Sequence, residues 1–121
     1  MRVLVVDDST VMRRIVINAL ATGGITEVSQ AADGEEALLR AVAEEPDLIL
    51  MDWNMPIMRG IDAVRAIRDH GLTTPIIMVT TESEKSRVLE ALKAGANNYV
   101  VKPFDPQTLL DKIAATMPSD G

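Results

Sequence analysis

Acidic, hydroxyl and amino side chains follow four short apolar runs of the sequence. Asp7 and Asp8 follow residues 3–6, Asp52 follows 48–51, Thr80 follows 76–79, and Lys102 follows 100–101. If these runs are parallel strands of one sheet, the polar side chains meet at one edge of it. Carboxylates bind divalent cations and can attack phosphorus, and an ammonium group neutralises phosphoryl charge. The pattern therefore predicts a site that binds a divalent cation and accepts a phosphoryl group.

Length and composition limit the class of protein. The chain has 121 residues, 47% of them hydrophobic, and a net charge of -6. We interpret residues 1–121 as one domain with a hydrophobic core, without a separate output domain. No uncharged apolar stretch approaches the roughly 18 residues that cross a bilayer, so we expect a cytoplasmic protein that does not enter the membrane. The negative charge disfavours nucleic-acid binding and favours protein partners.

Several other kinds of site are disfavoured. The chain has no cysteine, and His70 is its single histidine, which argues against a catalytic triad and a zinc site. No glycine-rich loop is followed by a lysine that would cradle nucleotide phosphates. We interpret His70 as a structural residue near a helix end.

Strand-type and helix-type patterns alternate five times along the chain. The four apolar runs predict strands one, three, four and five, and the more polar residues 27–31 predict strand two. Helices are predicted at about 10–21, 35–44, 61–70 and 84–94, and from Pro106 onward. The side chains predicted to be buried on these helices are Val11, Met12, Ile15, Val16, Ala19, Leu20, Ala37, Leu38, Ala41, Val42, Val64, Ile67, Val88, Leu89, Leu92, Leu109, Leu110, Ile113 and Met117.

This alternation predicts an α/β fold with helices on both faces of a five-stranded parallel sheet. Right-handed crossovers cover both faces only if the winding direction reverses once, and ligands bind at that reversal. The predicted fold is a single doubly wound (βα)5 domain of the flavodoxin-like type, with strand order 2-1-3-4-5. That order places Asp7, Asp8 and Asp52 side by side, and the polar second strand at an edge.

Each polar residue also has a simpler explanation. The pair Asp7 and Asp8 could cap the first helix, and Thr80 could cap the fourth. Asp52 could be a turn residue, and Lys102 an ordinary surface lysine. Their shared position just past strand ends favours a common site over four unrelated roles.

Four motifs resemble the receiver domain of two-component response regulators. They are Asp7-Asp8, DWNMP at 52–56 with Gly60 after it, MVT ending at Thr80, and YVVKPF at 99–104. The resemblance covers nearly the whole chain, and within the family it is greatest to the stand-alone regulators of chemotaxis. Arg59 differs from the family pattern, in which an acidic residue is frequent at this position.

The resemblance implies a phosphorylation-activated switch rather than an enzyme with a separate substrate. Asp52 would accept a phosphoryl group from a histidine kinase, with Lys102 and Thr80 as catalytic partners. Mg²⁺ would be held by Asp8, Asp52 and the backbone carbonyl of Asn54, and by Asp7 through water. Thr80 and Tyr99 would form the switch, and Asn54 and Glu82 would tune hydrolysis.

The implied output is binding of a downstream protein by a monomer, in chemotaxis or motility. The face would comprise the fourth helix, fifth strand and fifth helix. A phosphate sink or a phosphorylation-independent docking module remains the alternative, because a sink needs the same acceptor chemistry. A small-molecule phosphatase is disfavoured, because Asn54 stands where its second acidic residue is expected.

Overall fold

Five parallel strands form one sheet in the order β2-β1-β3-β4-β5, as the sequence predicts. The computed structural model describes residues 1–118, apart from the side chains of residues 82, 83 and 85. The strands are β1 (Arg2–Val6), β2 (Glu27–Ala31), β3 (Leu48–Asp52), β4 (Ile76–Thr81) and β5 (Asn98–Lys102). The helices are α1 (Thr10–Thr22), α2 (Gly34–Glu44), α3 (Gly60–Asp69), α4 (Val88–Ala94) and α5 (Pro106–Thr116). The doubly wound flavodoxin-like fold is confirmed.

Each face of the sheet carries its own hydrophobic core, because successive side chains of a strand point to opposite faces. Leu4, Ile49 and Met78 belong to the core under α2, α3 and α4. Leu50 and Val79 belong to the core under α1 and α5. The central strands β3 and β4 are buried on both faces, which explains their continuously apolar sequences.

Local sequence signals fix most helix ends. The Ser9 hydroxyl accepts a hydrogen bond from the Met12 backbone N–H at the start of α1. The Asp33 and Asp105 carboxylates cap α2 and α5 in the same way. Among the described residues, no helix is long and apolar enough to cross a membrane.

The prediction for the fourth helix is wrong at its start. Residues Glu82–Arg87 form a 3₁₀ helix, and α4 begins only at Val88. Arg87 precedes α4 without a side-chain capping hydrogen bond, so the sequence there lacks the signal that starts α1, α2 and α5. Because a 3₁₀ helix has three residues per turn, counting an α-helical face from Glu84 gives the wrong buried set.

Five side chains predicted to be buried are instead exposed. They are Val11 at 69%, Ile15 at 48%, Val42 at 45%, Leu89 at 62% and Leu92 at 39%. Val11 and Ile15 lie in the first turns of α1, which start beyond the carboxyl end of β1, and the helix is buried only from Val16 onward. In α4 the buried positions are Val88 and Ala91, so Leu89 and Leu92 lie to the side of the buried stripe.

Candidate functional site

Asp52 is the last residue of β3 and occupies the centre of the site. The residue is only 5% exposed. Its Oδ1 accepts a hydrogen bond from Lys102 Nζ at 3.0 Å and another from the Trp53 backbone N–H at 2.9 Å. A buried carboxylate with one oxygen held in this way has a defined orientation, which a nucleophile requires.

The predicted acidic cluster is present. Carboxylate oxygens of Asp7, Asp8 and Asp52 lie within 4.8 Å of one another. Asp7 is buried, and its Oδ1 accepts a hydrogen bond from the Ser9 backbone N–H at 2.8 Å, whereas Asp8 is exposed. Ser9 is the residue that caps α1, so capping does not account for the acidic pair. Three clustered carboxylates are a donor set that suits a hard divalent cation, and these residues could hold one.

The electrostatics of the cluster favour a bound cation. Burial, together with the charge of Asp7, raises the pKa of Asp52 to about 6 against the opposing effect of Lys102. Burial also raises the pKa of Asp7. Both carboxylates therefore carry an energetic cost when ionised, and a cation beside them would reduce that cost.

Lys102 ends β5 and supplies the positive charge of the site. Its Nζ lies 3.0 Å from Asp52 Oδ1 and 3.9 Å from Asp7 Oδ2. Burial acts to lower the pKa of Lys102, but the hydrogen bond to Asp52 and the nearby carboxylate charges outweigh it, so the pKa is raised. The ammonium group is therefore fixed beside the acceptor and stays charged at neutral pH.

Thr80 lies on β4, the strand beside β3, and is completely buried. Within the described part of the chain, its Oγ1 has no hydrogen-bond partner. The hydroxyl therefore does not cap a helix, and it remains able to donate to a new acceptor. A buried unpaired hydroxyl costs about 1 to 3 kcal/mol, so an anionic oxygen placed beside it would stabilise the structure.

Tyr99 lies on β5 and is half-buried. The register pairs Thr80 with Val101, and side chains alternate along a strand, so Tyr99 and Thr80 point to the same face of the sheet. The Lys112 ammonium lies 4.6 Å from the centroid of the Tyr99 ring. The structure thus places both predicted switch residues on the same face of the sheet.

Gly60 is a positioning element that its motif only suggested. A Cβ atom at this residue would lie 2.0 Å from the backbone oxygen of Asp52. The Gly60 N–H also donates to the Trp53 oxygen at 3.0 Å. The glycine therefore allows α3 to start directly against the acceptor.

Of the two residues predicted to tune hydrolysis, the structure describes the side chain of one. Asn54 is exposed at the rim of the site, and its Nδ2 donates a hydrogen bond to Glu84. The side chain of Glu82 lies outside the described residues. Glu84 was not predicted, and its only sequence signal is an acidic residue shortly after Thr80. The unusual Arg59 donates to Asp62 at 3.0 Å, so its charge is paired within the start of α3.

Several known proteins are similar to this chain in sequence and fold. The response regulator receiver domain family matches residues 3–114. Chemotaxis protein CheY1 of Helicobacter pylori is 46% identical over 120 residues, covering 97% of each chain. The chemotaxis protein CheY homolog of Campylobacter jejuni is 48% identical over 116 residues, covering 93% of this chain and 89% of that protein. The structure of Vibrio cholerae chemotaxis protein CheY4 matches with a TM-score of 0.87 and 42% identity, covering 96% of this chain and 98% of that chain.

The family match includes the acidic pair, the acceptor, the hydroxyl and the lysine that meet at the carboxyl edge of the sheet. The similarity to these relatives extends over almost the whole chain and is well above the level that indicates a shared fold alone. The chain therefore belongs to the response regulator receiver domain family.

Proposed function

We propose that this chain is a phosphorylation-activated signalling switch that accepts a phosphoryl group on Asp52 from a histidine kinase. The observation that carries the proposal is the buried Asp52 carboxylate, held by Lys102 at 3.0 Å and bordered by two further aspartates. The names of the similar proteins from Helicobacter and Campylobacter support a role in chemotaxis. We propose a cytoplasmic monomer that acts on no substrate other than itself, with residues 1–121 as one receiver domain.

The proposed reaction is an in-line phosphoryl transfer. An Asp52 carboxylate oxygen forms a bond to phosphorus while the bond from phosphorus to the donor imidazole nitrogen breaks. The electron pair of the broken bond remains on the imidazole. With a pKa of about 6, Asp52 is mostly ionised at pH 7 and can act as the nucleophile. The Lys102 ammonium and the Thr80 hydroxyl would stabilise the charge on the phosphoryl oxygens.

We propose Mg²⁺ as the cation, because the cluster offers only oxygen ligands. Asp8, Asp52 and the backbone carbonyl of Asn54 would hold it directly, and Asp7 would hold it through water. When bound, the ion supplies positive charge that neutralises the carboxylates and the transferring group. Asn54 and Glu82 are proposed to limit the access of water to the phosphorylated residue.

The proposed output face comprises α4, β5 and α5. Leu89 and Leu92 are exposed on α4 and offer an apolar contact for a protein partner. A hydrogen bond from Thr80 to the phosphoryl group, together with the Lys102 contact, supplies about 2 to 4 kcal/mol. A complete population reversal needs about 5.5 kcal/mol, so partner binding should favour the phosphorylated form without being confined to it. Tyr99 would turn inward as Thr80 moves.

The acceptor function is tested by incubation with acetyl phosphate and Mg²⁺, followed by intact-mass measurement. The wild-type protein should gain one base-labile phosphoryl group, and Asp52→Asn should gain none. Lys93→Ala, which removes an exposed lysine on α4, is the control for general charge loss and should be labelled like the wild type. Labelling of Asp52→Asn at the wild-type level would contradict the assignment.

A phosphate sink or a phosphorylation-independent docking module is the second candidate. It would show the same labelling but no difference in partner binding. A pulldown from cell extract with phosphorylated and unphosphorylated protein separates the two candidates. A partner retained mainly by the phosphorylated form supports the switch.

A further inference from the structure

Glu84 joins the two segments that follow β3 and β4. Its Oε1 accepts a hydrogen bond from the Thr81 backbone N–H at 2.8 Å. Its Oε2 accepts a hydrogen bond from the Asn54 side chain. We call these two hydrogen bonds the Glu84 bridge. One half-buried carboxylate thus connects the residue next to Thr80 with a residue two positions after the acceptor.

The 3₁₀ helix that carries Glu84 makes a second contact with the same loop. The Arg87 guanidinium lies 5.0 Å from the centroid of the Trp53 ring. Trp53 is completely buried and follows Asp52 directly. Both contacts hold the 3₁₀ helix against the residues immediately after the acceptor, so a change at Asp52 acts on this helix at short range.

The charge of Glu84 lies at the rim of the site. Its Oε2 accepts the hydrogen bond of Asn54, two residues after Asp52. A carboxylate in this place acts on an anion formed at Asp52. Phosphorylation replaces the single charge of Asp52 with a group of nearly two negative charges, which Glu84 repels.

We propose that Glu84 is a positioning residue that opposes phosphorylation at Asp52. The Glu84 bridge holds the Asn54 amide and the Thr81 N–H in the unphosphorylated protein, and the phosphoryl group competes with the Glu84 carboxylate for this region. Release of the bridge frees the 3₁₀ helix and, through it, the start of α4. This inference rests on the proposed acceptor role of Asp52.

The test is calorimetric titration of the full chain with beryllofluoride, a phosphoryl analogue, in the presence of Mg²⁺. Glu84→Gln removes the charge and Glu84→Ala removes the bridge. Both should bind the analogue about fivefold more tightly than the wild type. The advantage of Glu84→Gln should shrink in 0.5 M salt, because screening at that ionic strength weakens repulsion. A purely structural role predicts the opposite sign, since a disordered loop would bind the analogue less tightly.

Glu27→Gln is the matched control. It removes the same charge from an exposed residue at the start of β2, the opposite end of the strands from the site. Its affinity for the analogue should equal that of the wild type. Wild-type affinity or weaker binding in both Glu84 variants would overturn the proposal and leave the acceptor role of Asp52 intact.

Hydrogen exchange of the phosphoryl-free protein separates failure of this proposal from failure of the acceptor role. Glu84→Ala should accelerate exchange of the Thr81 amide relative to the wild type and to Glu27→Gln. Unchanged exchange would show that the bridge does not hold this segment and would overturn the proposal. Absence of analogue binding by the wild type itself would count against the acceptor role, and the competition with Glu84 would be overturned with it.

Discussion

The segments after β3 and β4 flank the same acceptor but are held in different ways. After β3, Gly60 lies directly against the Asp52 backbone and donates a backbone hydrogen bond to Trp53. After β4, the 3₁₀ helix is held by side chains, through the Glu84 bridge and the stacking of Arg87 on Trp53. Backbone packing allows one arrangement, whereas side-chain contacts can be exchanged for others. The first segment is therefore suited to fixing the nucleophile and the second to changing shape.

The polar side chains at the ends of β3 and β4 also differ in how they are held. Asp52 Oδ1 accepts hydrogen bonds from Lys102 and from the Trp53 backbone N–H. Thr80 is buried with an unpaired hydroxyl, within the residues that the structure describes. The resting structure thus holds the acceptor by hydrogen bonds and leaves the hydroxyl of the neighbouring strand without one to any described residue. This difference supplies a driving force for movement when a phosphoryl oxygen arrives.

The largest expected effect tests whether the segment after β3 is fixed. Gly60→Ala would place Cβ 2.0 Å from the Asp52 carbonyl oxygen, so the backbone must move. The free energy of unfolding should fall by about 3 kcal/mol, and labelling of the folded fraction by acetyl phosphate should slow. Urea unfolding and intact-mass measurement check the two effects.

Gly71→Ala is the matched control for this substitution. Unlike Gly60, Gly71 has a positive φ, of 83°, but a Cβ atom there meets open space. The free energy of unfolding of Gly71→Ala should fall by about 1 kcal/mol, because of the backbone conformation alone, and the variant should keep the wild-type labelling rate. Equal losses in the two variants would show that the contact with Asp52 is not restrictive and would remove the basis of the comparison.

Sequence patterns predicted the fold almost completely, because long-range order here follows from local rules. Alternating apolar runs and amphipathic segments predicted all five strands and four of the helix starts to within one or two residues. The strand order followed from the handedness of crossovers and the polarity of β2. Only the start of α4 was wrong, where no capping residue marks the transition from the 3₁₀ helix.

The site was predictable where the residues end strands, and less so where they lie in loops. Asp7, Asp52, Thr80 and Lys102 were placed together because parallel strands end at one edge. Glu84 could not be identified in the same way, because its position depends on the 3₁₀ geometry of a segment predicted to be α-helical. The exposure of Leu89 was missed for the same reason.

A second effect concerns the energetic cost of the acceptor charge. In Mg²⁺-free buffer at pH 7, Asp52→Asn should raise the free energy of unfolding by at most about 3 kcal/mol. The shift of the Asp52 pKa from 3.8 to about 6, in which the ion pair with Lys102 is already included, corresponds to that amount. Urea unfolding of both proteins measures the difference.

The contribution of Asp52 to stability depends on pH, and the raised pKa sets the direction. Between about pH 4 and pH 6 the folded protein binds more protons at Asp52 than the unfolded chain does. The contribution of this group to stability therefore falls as the pH rises through that window and is constant above it. The advantage of Asp52→Asn should shrink toward pH 4, whereas the exposed Asp111→Asn should differ little from the wild type throughout. An advantage that does not vary with pH would show that charge burial is not its cause.

A third, smaller effect tests the unpaired hydroxyl at the end of β4. Thr80→Val replaces a buried unpaired hydroxyl with a methyl group of similar size, so the unphosphorylated protein should become more stable by about 1 kcal/mol. Thr22→Val is the control, because the Thr22 hydroxyl donates to the Ala19 oxygen at 2.6 Å and its loss should give no gain. Denaturant unfolding measures both variants. Destabilisation by Thr80→Val would show that the hydroxyl is already satisfied and that the contrast with Asp52 is absent.

The smallest expected effect concerns strain in the loop after β3. Ile57 has φ of 69°, a conformation that β-branched residues rarely adopt, and its side chain is 77% exposed. The Met58 N–H donates to the Pro56 oxygen at 2.7 Å, so Ile57 is the central residue of a γ-turn with positive φ. The hydrogen bond of the turn thus holds Ile57 in an unfavourable backbone conformation, and the exposed side chain contributes little burial to offset that cost.

Ile57→Asn should therefore stabilise the protein by about 0.5 kcal/mol, because asparagine adopts positive φ more readily and loses few contacts at this exposed position. Val11→Asn is the control, since Val11 is 69% exposed but lies in the regular helix α1, where the same replacement should give no gain. Chemical denaturation of the two variants side by side resolves a difference of this size. If Ile57→Asn is no more stable than Val11→Asn, the positive φ carries no cost, and the loop after β3 is held by packing at Gly60 without stored strain.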